Sequence, residues 1–176
     1  VEGVSAVAPL TFRAAKLKSG YALVQLHGLT PGGARRGTVR FAPNAKHITI
    51  EGFVLNGQLP KNALLSSYQG AVVLAAAGNQ SDITVRNMRF YNYSVSSWKA
   101  GYTGMFFGFV TNTVTNLTIE GCTFESLASS NSSHHTLGAI VTRQGTYKNL
   151  TIHRNRFIAL AVDAINVRDS LFDNAA

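Results

Sequence analysis

The stretch Asn116-Leu-Thr-Ile-Glu-Gly-Cys-Thr-Phe124 decides the fold, because the chain carries its pattern four times. Ile48-Thr-Ile-Glu-Gly-Phe-Val-Leu55 and Ile83-Thr-Val-Arg-Asn-Met-Arg-Phe90 come before it, and Leu150-Thr-Ile-His-Arg-Asn-Arg-Phe157 follows. Each copy reads aliphatic, Thr, aliphatic, polar, a turn residue, a few variable positions, then a large apolar residue. The steps from Ile48 to Ile83, on to Leu117 and on to Leu150 are 35, 34 and 33 residues. A fixed period in this range marks a stacked-repeat architecture, in which each unit buries its apolar face against its neighbours.

A second repeated element opens on Gly: Gly37-Thr-Val-Arg-Phe41, Gly70-Ala-Val-Val-Leu74, Gly104-Met-Phe-Phe-Gly108 and Gly138-Ala-Ile-Val-Thr142, with Asp163-Ala-Ile-Asn-Val167 as a fifth copy. The large residue closing the first pattern (Leu55, Phe90, Phe124, Phe157) starts a third element. Strands are expected throughout. The apolar residues alternate, placing Ile48/Ile50, Ile83/Val85, Leu117/Ile119 and Leu150/Ile152 on one face. β-branched residues dominate. Gly, Asn and Pro interrupt each apolar run before a helix completes three turns. Three short strands per unit, stacked in register, make a parallel β-helix of about four to five coils, with an all-β fold. Thr49, Thr84, Thr118 and Thr151 then form an outward ladder, and the next outward column reads Glu51, Arg86, Glu120, His153. Opposite charges in adjacent strands attract, so that column should pair. Gly52, Asn87 and Gly121 suit a left-handed bend; Arg154 is the misfit in that column.

Val1–Lys18 shows no match to the repeat in this reading. Residues 1–36 are expected to form an N-terminal cap and a first strand, Tyr21–Leu26, ahead of repeats spanning 37–176. The chain starts at Val1 without a Met and stops just after a repeat, the pattern of a processed protein or a fragment with further coils. Its 176 residues suit one domain, with 45% hydrophobic and 14% charged residues. Sixteen basic against eight acidic residues give +8, which favours anionic partners. The basic residues are scattered and form no single stripe, which argues against nucleic acid. Cys122 stands alone, so no intramolecular disulfide forms. No apolar run is long enough to span a bilayer, and no signal peptide is read.

Repeats such as Ile83–Phe90 and Leu150–Phe157 resemble those of the right-handed parallel β-helix, or pectin-lyase-like, superfamily. The similarity runs from about Gly37 to Asn174 and implies a right-handed solenoid. The superfamily spans lyases, hydrolases, epimerases, tailspikes and adhesins, so the resemblance does not choose an activity. It does imply a saccharide cleft flanked by loops that lead into the Gly-opened sheet.

Three long connections, Asn56–Gln69, Tyr91–Thr103 and Glu125–Leu137, recur with the period and are expected on one side of the stack. They hold Lys61, Tyr68, Tyr91, Tyr93, Trp98, Lys99, Tyr102, His134 and His135. Aromatic faces stack on sugar rings and cations hold carboxylates or sulfates. On the Gly-opened strands Arg143 and Arg168 occupy equivalent positions, beyond an apolar outward strip at Val73, Phe107 and Val141. The expected saccharide-binding set is Lys61, Tyr68, Trp98, Lys99, Tyr102, His134, Arg143 and Arg168. A lyase needs a base for the proton α to a uronate carboxylate, for which Arg143, Lys99, His135 and Tyr102 are the candidates. Asp82, Glu125 and Asp163 do not cluster in sequence, so no cofactor is expected, with Ca2+ left as the open alternative. His134-His135 lacks a third zinc ligand. The hydrolase motifs of paired carboxylates are absent. The leading expectation is an extracellular, cell-surface or virion protein that binds acidic polysaccharide, with β-elimination as the chemistry if it is an enzyme. The alternative is a structural module of a trimeric spike, fibre or adhesin, self-associating through the apolar outward strip.

Overall fold

A computed structural model describes residues 10–14, 16–17, 20–21, 23–25, 39–56, 70–74, 78–94, 103–109, 111–128, 137–160, 163–168 and 170–176. The described chain is all-β, and its three large sheets are parallel. The first sheet runs Leu10–Arg13, Lys46–Glu51, Gln80–Arg86, Thr113–Glu120, Thr146–Lys148, Leu171–Asp173, with Thr151–His153 also on Thr113–Glu120. The second runs Leu23–Gln25, Val54–Asn56, Arg89–Ser94, Thr123–Ala128, Arg156–Ile158. The third runs Val39–Phe41, Gly70–Leu74, Thr103–Phe109, Leu137–Arg143, Asp163–Arg168. One short antiparallel pair, Lys16–Leu17 with Gly20–Tyr21, completes the set. Each strand of a large sheet pairs with its equivalent in the next sequence repeat, so the chain passes first, second, third sheet and returns.

Register follows the sequence pattern. Thr49, Thr84, Thr118 and Thr151 are successive Cα partners, and Ile50, Val85, Ile119 and Ile152 form the apolar column beside them. The repeat also starts earlier than the pattern revealed. Leu10-Thr-Phe-Arg13 pairs with Ile48-Thr-Ile-Glu51 residue for residue, so part of Val1–Lys18 is a further copy. At the other end Leu171–Asp173 pairs with Thr146–Lys148 and adds another copy to the same sheet.

The core lies between the three sheets. Ile83, Val85, Phe90, Phe106, Ile119, Phe124, Ile140 and Tyr147 have no measurable exposure. Phe90, Phe124 and Phe157 stack in one column, with ring centroids 4.8 and 5.3 Å apart. That spacing is the distance between neighbouring strands, about 4.8 Å, so the register itself sets the stacking. Cys122 is a fully buried filler whose thiol donates to the Glu120 and Val85 carbonyls; burial pushes its pKa up to about 12.

Left-handed residues separate the sheets. The turn after the first sheet uses Gly52, Asn87, Gly121 and Arg154, with φ of 80, 53, 61 and 54°. Arg154 therefore adopts the bend despite its side chain. A second left-handed column, His47, Asp82, Asn116, Asn149 and Asn174, lies inside the first sheet. There Asn116 Nδ2 donates to Asp82 Oδ1 (2.6 Å), Asn149 Nδ2 to Asn116 Oδ1 (2.9 Å) and Asn174 Nδ2 to Asn149 Oδ1 (3.3 Å). His47 Nδ1 meets Asp82 Oδ2 at 3.0 Å. Asn and Asp tolerate the left-handed backbone, and their short side chains reach the equivalent residue one strand away.

Candidate functional site

Two outward columns of charged residues, one on the first sheet and one on the third, are built differently. On the first sheet the column reads Arg13, Glu51, Arg86, Glu120, His153. Both Arg13 and Arg86 donate through Nε to the Glu51 carboxylate, and His153 Nε2 lies 2.7 Å from Glu120 Oε2. The sign alternates and, as the sequence predicts, neighbours pair at Arg13–Glu51, Glu51–Arg86 and Glu120–His153. The Arg86 and Arg13 hydrogen bonds hold the Glu51 carboxyl below the usual carboxylate range, and its side chain is only 9% exposed. The two carboxylates of this column are thus each held by basic neighbours within it.

The third sheet differs. Arg143 and Arg168 are Cα partners on adjacent strands, and Phe109 precedes them in the same column. Among the described pairings that column contains no acidic residue. Each arginine is the last residue of its strand. Beyond Arg143 the chain turns through Gln144 and Gly145, with φ of 55 and 70°, into Thr146–Lys148. That turn is anchored on both sides. The Tyr147 hydroxyl donates to the Gly108 carbonyl at 2.9 Å inside the core, and burial raises its pKa. Leu171 N donates to the Gly145 carbonyl (3.0 Å), and Ser170 Oγ donates to the Gln144 carbonyl (3.3 Å). The two arginine positions thus lie on a rim where the third sheet passes to the first, about one strand spacing of 4.8 Å apart. Paired guanidinium-bearing residues at such a spacing suit carboxylate or sulfate groups along a polymer.

The other expected site residues lie elsewhere. Lys61, Tyr68, Trp98, Lys99, Tyr102, His134 and His135 fall outside the described residues. On the outward strip, for which cover by the N-terminal segment or by a neighbouring subunit is expected, Val141 is 1% exposed. Ala71 and Ala139, on the same outer side of the sheet, are also buried.

One cluster escaped the sequence reading. On the second sheet Arg89 Nη2 donates to Glu125 Oε2 at 2.8 Å, and its guanidinium lies 5.0 Å from the Tyr91 ring centroid. The signal was available: Arg89, Thr123 and Arg156 are one column, and Tyr91, Glu125 and Ile158 the next. Among the described residues no group of three or more His, Cys, Asp or Glu side chains converges as a metal site. No described helix is long and apolar enough to cross a membrane. Compared with known proteins, the chain matches no family model, no curated protein and no solved structure.

Proposed function

We propose that this chain is a right-handed parallel β-helix of the extracellular or virion surface that binds acidic polysaccharide along the rim of its third sheet. Three parallel sheets, entered in rotation with a period of 33 to 35 residues, support the solenoid reading. The observation that carries the binding reading is the contrast between two columns. The first-sheet column sets each carboxylate against a basic partner, whereas the third-sheet column places Arg143 beside Arg168. Two guanidinium-bearing positions one strand spacing apart suit the carboxylate or sulfate groups of one polymer. The formal charge of +8 adds a general attraction for polyanions. Trp98, Tyr68 and Tyr102 supply sugar-stacking faces in this reading, and Lys61, Lys99 and His134 further cationic contacts.

Titration with polygalacturonate and with a sulfated glycan tests the reading. Arg143→Ala and Arg168→Ala should each weaken binding about fivefold, the scale of a single charge contact near a surface. Raised salt should erase most of the difference. Trp98→Ala should weaken binding at every salt concentration. Unchanged affinity in the double arginine variant would sink the rim as the site. If the protein is a lyase, a base removes the proton α to the uronate carboxylate while the C4–O bond breaks. The unsaturated product then absorbs in the ultraviolet, and activity should fall in variants of Arg143, Lys99, His135 or Tyr102.

A further inference from the structure

Behind the rim turn lies a buried hydroxyl. Tyr147 follows Arg143 by four residues, has no measurable exposure, and stacks its ring on Phe172 with centroids 5.5 Å apart. Its hydroxyl donates to the Gly108 carbonyl at 2.9 Å and accepts a hydrogen bond from the Arg143 backbone N–H. Gly108 and Arg143 belong to adjacent strands of the third sheet, Thr103–Phe109 and Leu137–Arg143. A core side chain of the first sheet therefore bonds both third-sheet strands at the point where the second of them ends.

One glycine makes room for that hydroxyl. A Cβ at Gly108 would lie 2.8 Å from it, closer than side-chain carbons approach their neighbours. The next residues in the Gly108 column, Thr142 and Val167, both carry branched side chains. In the Tyr147 column the register partners on either side are Val114 and Phe172, and neither has a hydroxyl. Of these three successive positions, the one that follows Arg143 alone supplies the bond.

Taking the rim as the binding site, we propose that Tyr147 is its positioning residue: the hydroxyl fixes the end of the third-sheet strand from inside the core, so that Arg143 meets the polymer from one backbone position. A strand end has fewer ladder bonds than its middle and opens more readily. Here it runs straight into the left-handed pair Gln144 and Gly145. A guanidinium carried on a mobile backbone must be ordered when the polymer binds, and a backbone held in advance avoids that loss. The two hydrogen bonds of Tyr147 are shielded from water, which strengthens them.

Calorimetric titration with polygalacturonate, alongside urea unfolding of the same whole-chain variants, tests this. Tyr147→Phe keeps the ring on Phe172 and removes only the hydroxyl. It should weaken binding about threefold, the scale of one hydrogen bond, and add no further loss in an Arg143→Ala background. Gly108→Ala should weaken binding similarly, because the added methyl displaces the hydroxyl. Gly108→Ala/Tyr147→Phe should recover the stability lost by Gly108→Ala, since the methyl then fills the vacated space, while its affinity stays low. That split separates positioning from a general loss of stability. Thr142→Val removes a fully buried hydroxyl that has no hydrogen-bond partner among the described residues, and should leave affinity unchanged. If Arg143→Ala weakens binding and Tyr147→Phe does not, the positioning role is overturned while the rim stands. If Arg143→Ala leaves binding unchanged, the rim fails and the role of Tyr147 with it. A full further loss on adding Tyr147→Phe to Arg143→Ala, or affinity that recovers together with stability in Gly108→Ala/Tyr147→Phe, also overturns it.

Discussion

Glu51 places one buried carboxylate between two arginines on different strands, and so ties Leu10–Arg13 and Gln80–Arg86 to the strand between them. Its folded pKa lies below the ordinary glutamate value, so its contribution is complete above about pH 4.3 and is lost as pH falls through the folded value. Glu51→Gln should cost about 1–2 kcal/mol at neutral pH, discounted because both arginines are partly exposed. Urea titrations at neutral and strongly acid pH check this; a gap that stays constant on acidification contradicts it. Arg154 makes the opposite case. It holds a φ of 54°, which Gly52 and Gly121 reach in the same turn without a Cβ. Arg154→Gly should therefore stabilise by about 0.5–1 kcal/mol, read as a higher Tm, because relief of left-handed strain outweighs the added backbone entropy of the unfolded chain. At Gly78, by contrast, an added Cβ would lie 2.8 Å from the Asn44 backbone nitrogen, and φ is +83°. Gly78→Ala should destabilise by about 1–3 kcal/mol in the same assay.

Strands are where the sequence was most readable. Strict alternation around Thr84 and Thr118 sets both face and register, because a slip of one residue would turn Ile83 and Val85 outward. Leu10-Thr-Phe-Arg13 obeys the same pattern but lies 38 residues before Ile48, outside the 33-to-35 period, which hid it. Leu171–Asp173 was hidden for a different reason: the residues that follow, Ala175 and Ala176, carry no apolar signature of the repeat. The His47–Asn174 ladder mixes His, Asp and Asn, and its meaning emerges only once neighbours in space are known. The candidate site was less readable still. Arg143 and Arg168 could be aligned because they sit on repeating strands. Trp98 and His134 sit in connections that recur with the period but whose residues do not repeat, so nothing in the pattern pairs either with a particular neighbour. The aromatic column tests the strand-level picture. Phe124→Ala opens a hole between Phe90 and Phe157 and should cost about 3–5 kcal/mol in denaturant unfolding. Phe157→Ala, at a half-buried position on the last strand of the second sheet, should cost clearly less; equal losses would mean that the column is not what organises the core.

Among the described strands, close contacts run between equivalents in neighbouring repeats. Stability in such an array is a sum of unit and neighbour terms, so it is greatest where a strand has neighbours on both sides. Native-state hydrogen exchange should therefore be slowest in Gln80–Arg86 and Thr113–Glu120. It should be fastest in the end strands Leu10–Arg13 and Leu171–Asp173. Uniform protection across the first sheet would show that the chain unfolds as one block.

The asparagine ladder has a further consequence for how such a chain can change over generations. Asp82, Asn116 and Asn149 are interchangeable in backbone shape, and each bonds only to the residue one step away. Copying the gene segment from one ladder member to the next inserts a unit whose two faces already recognise each other. No new contact has to be invented, and the reading frame of the structure is kept. Length is then the property of this protein most open to inheritance by duplication, while the identity of each rung can drift afterwards.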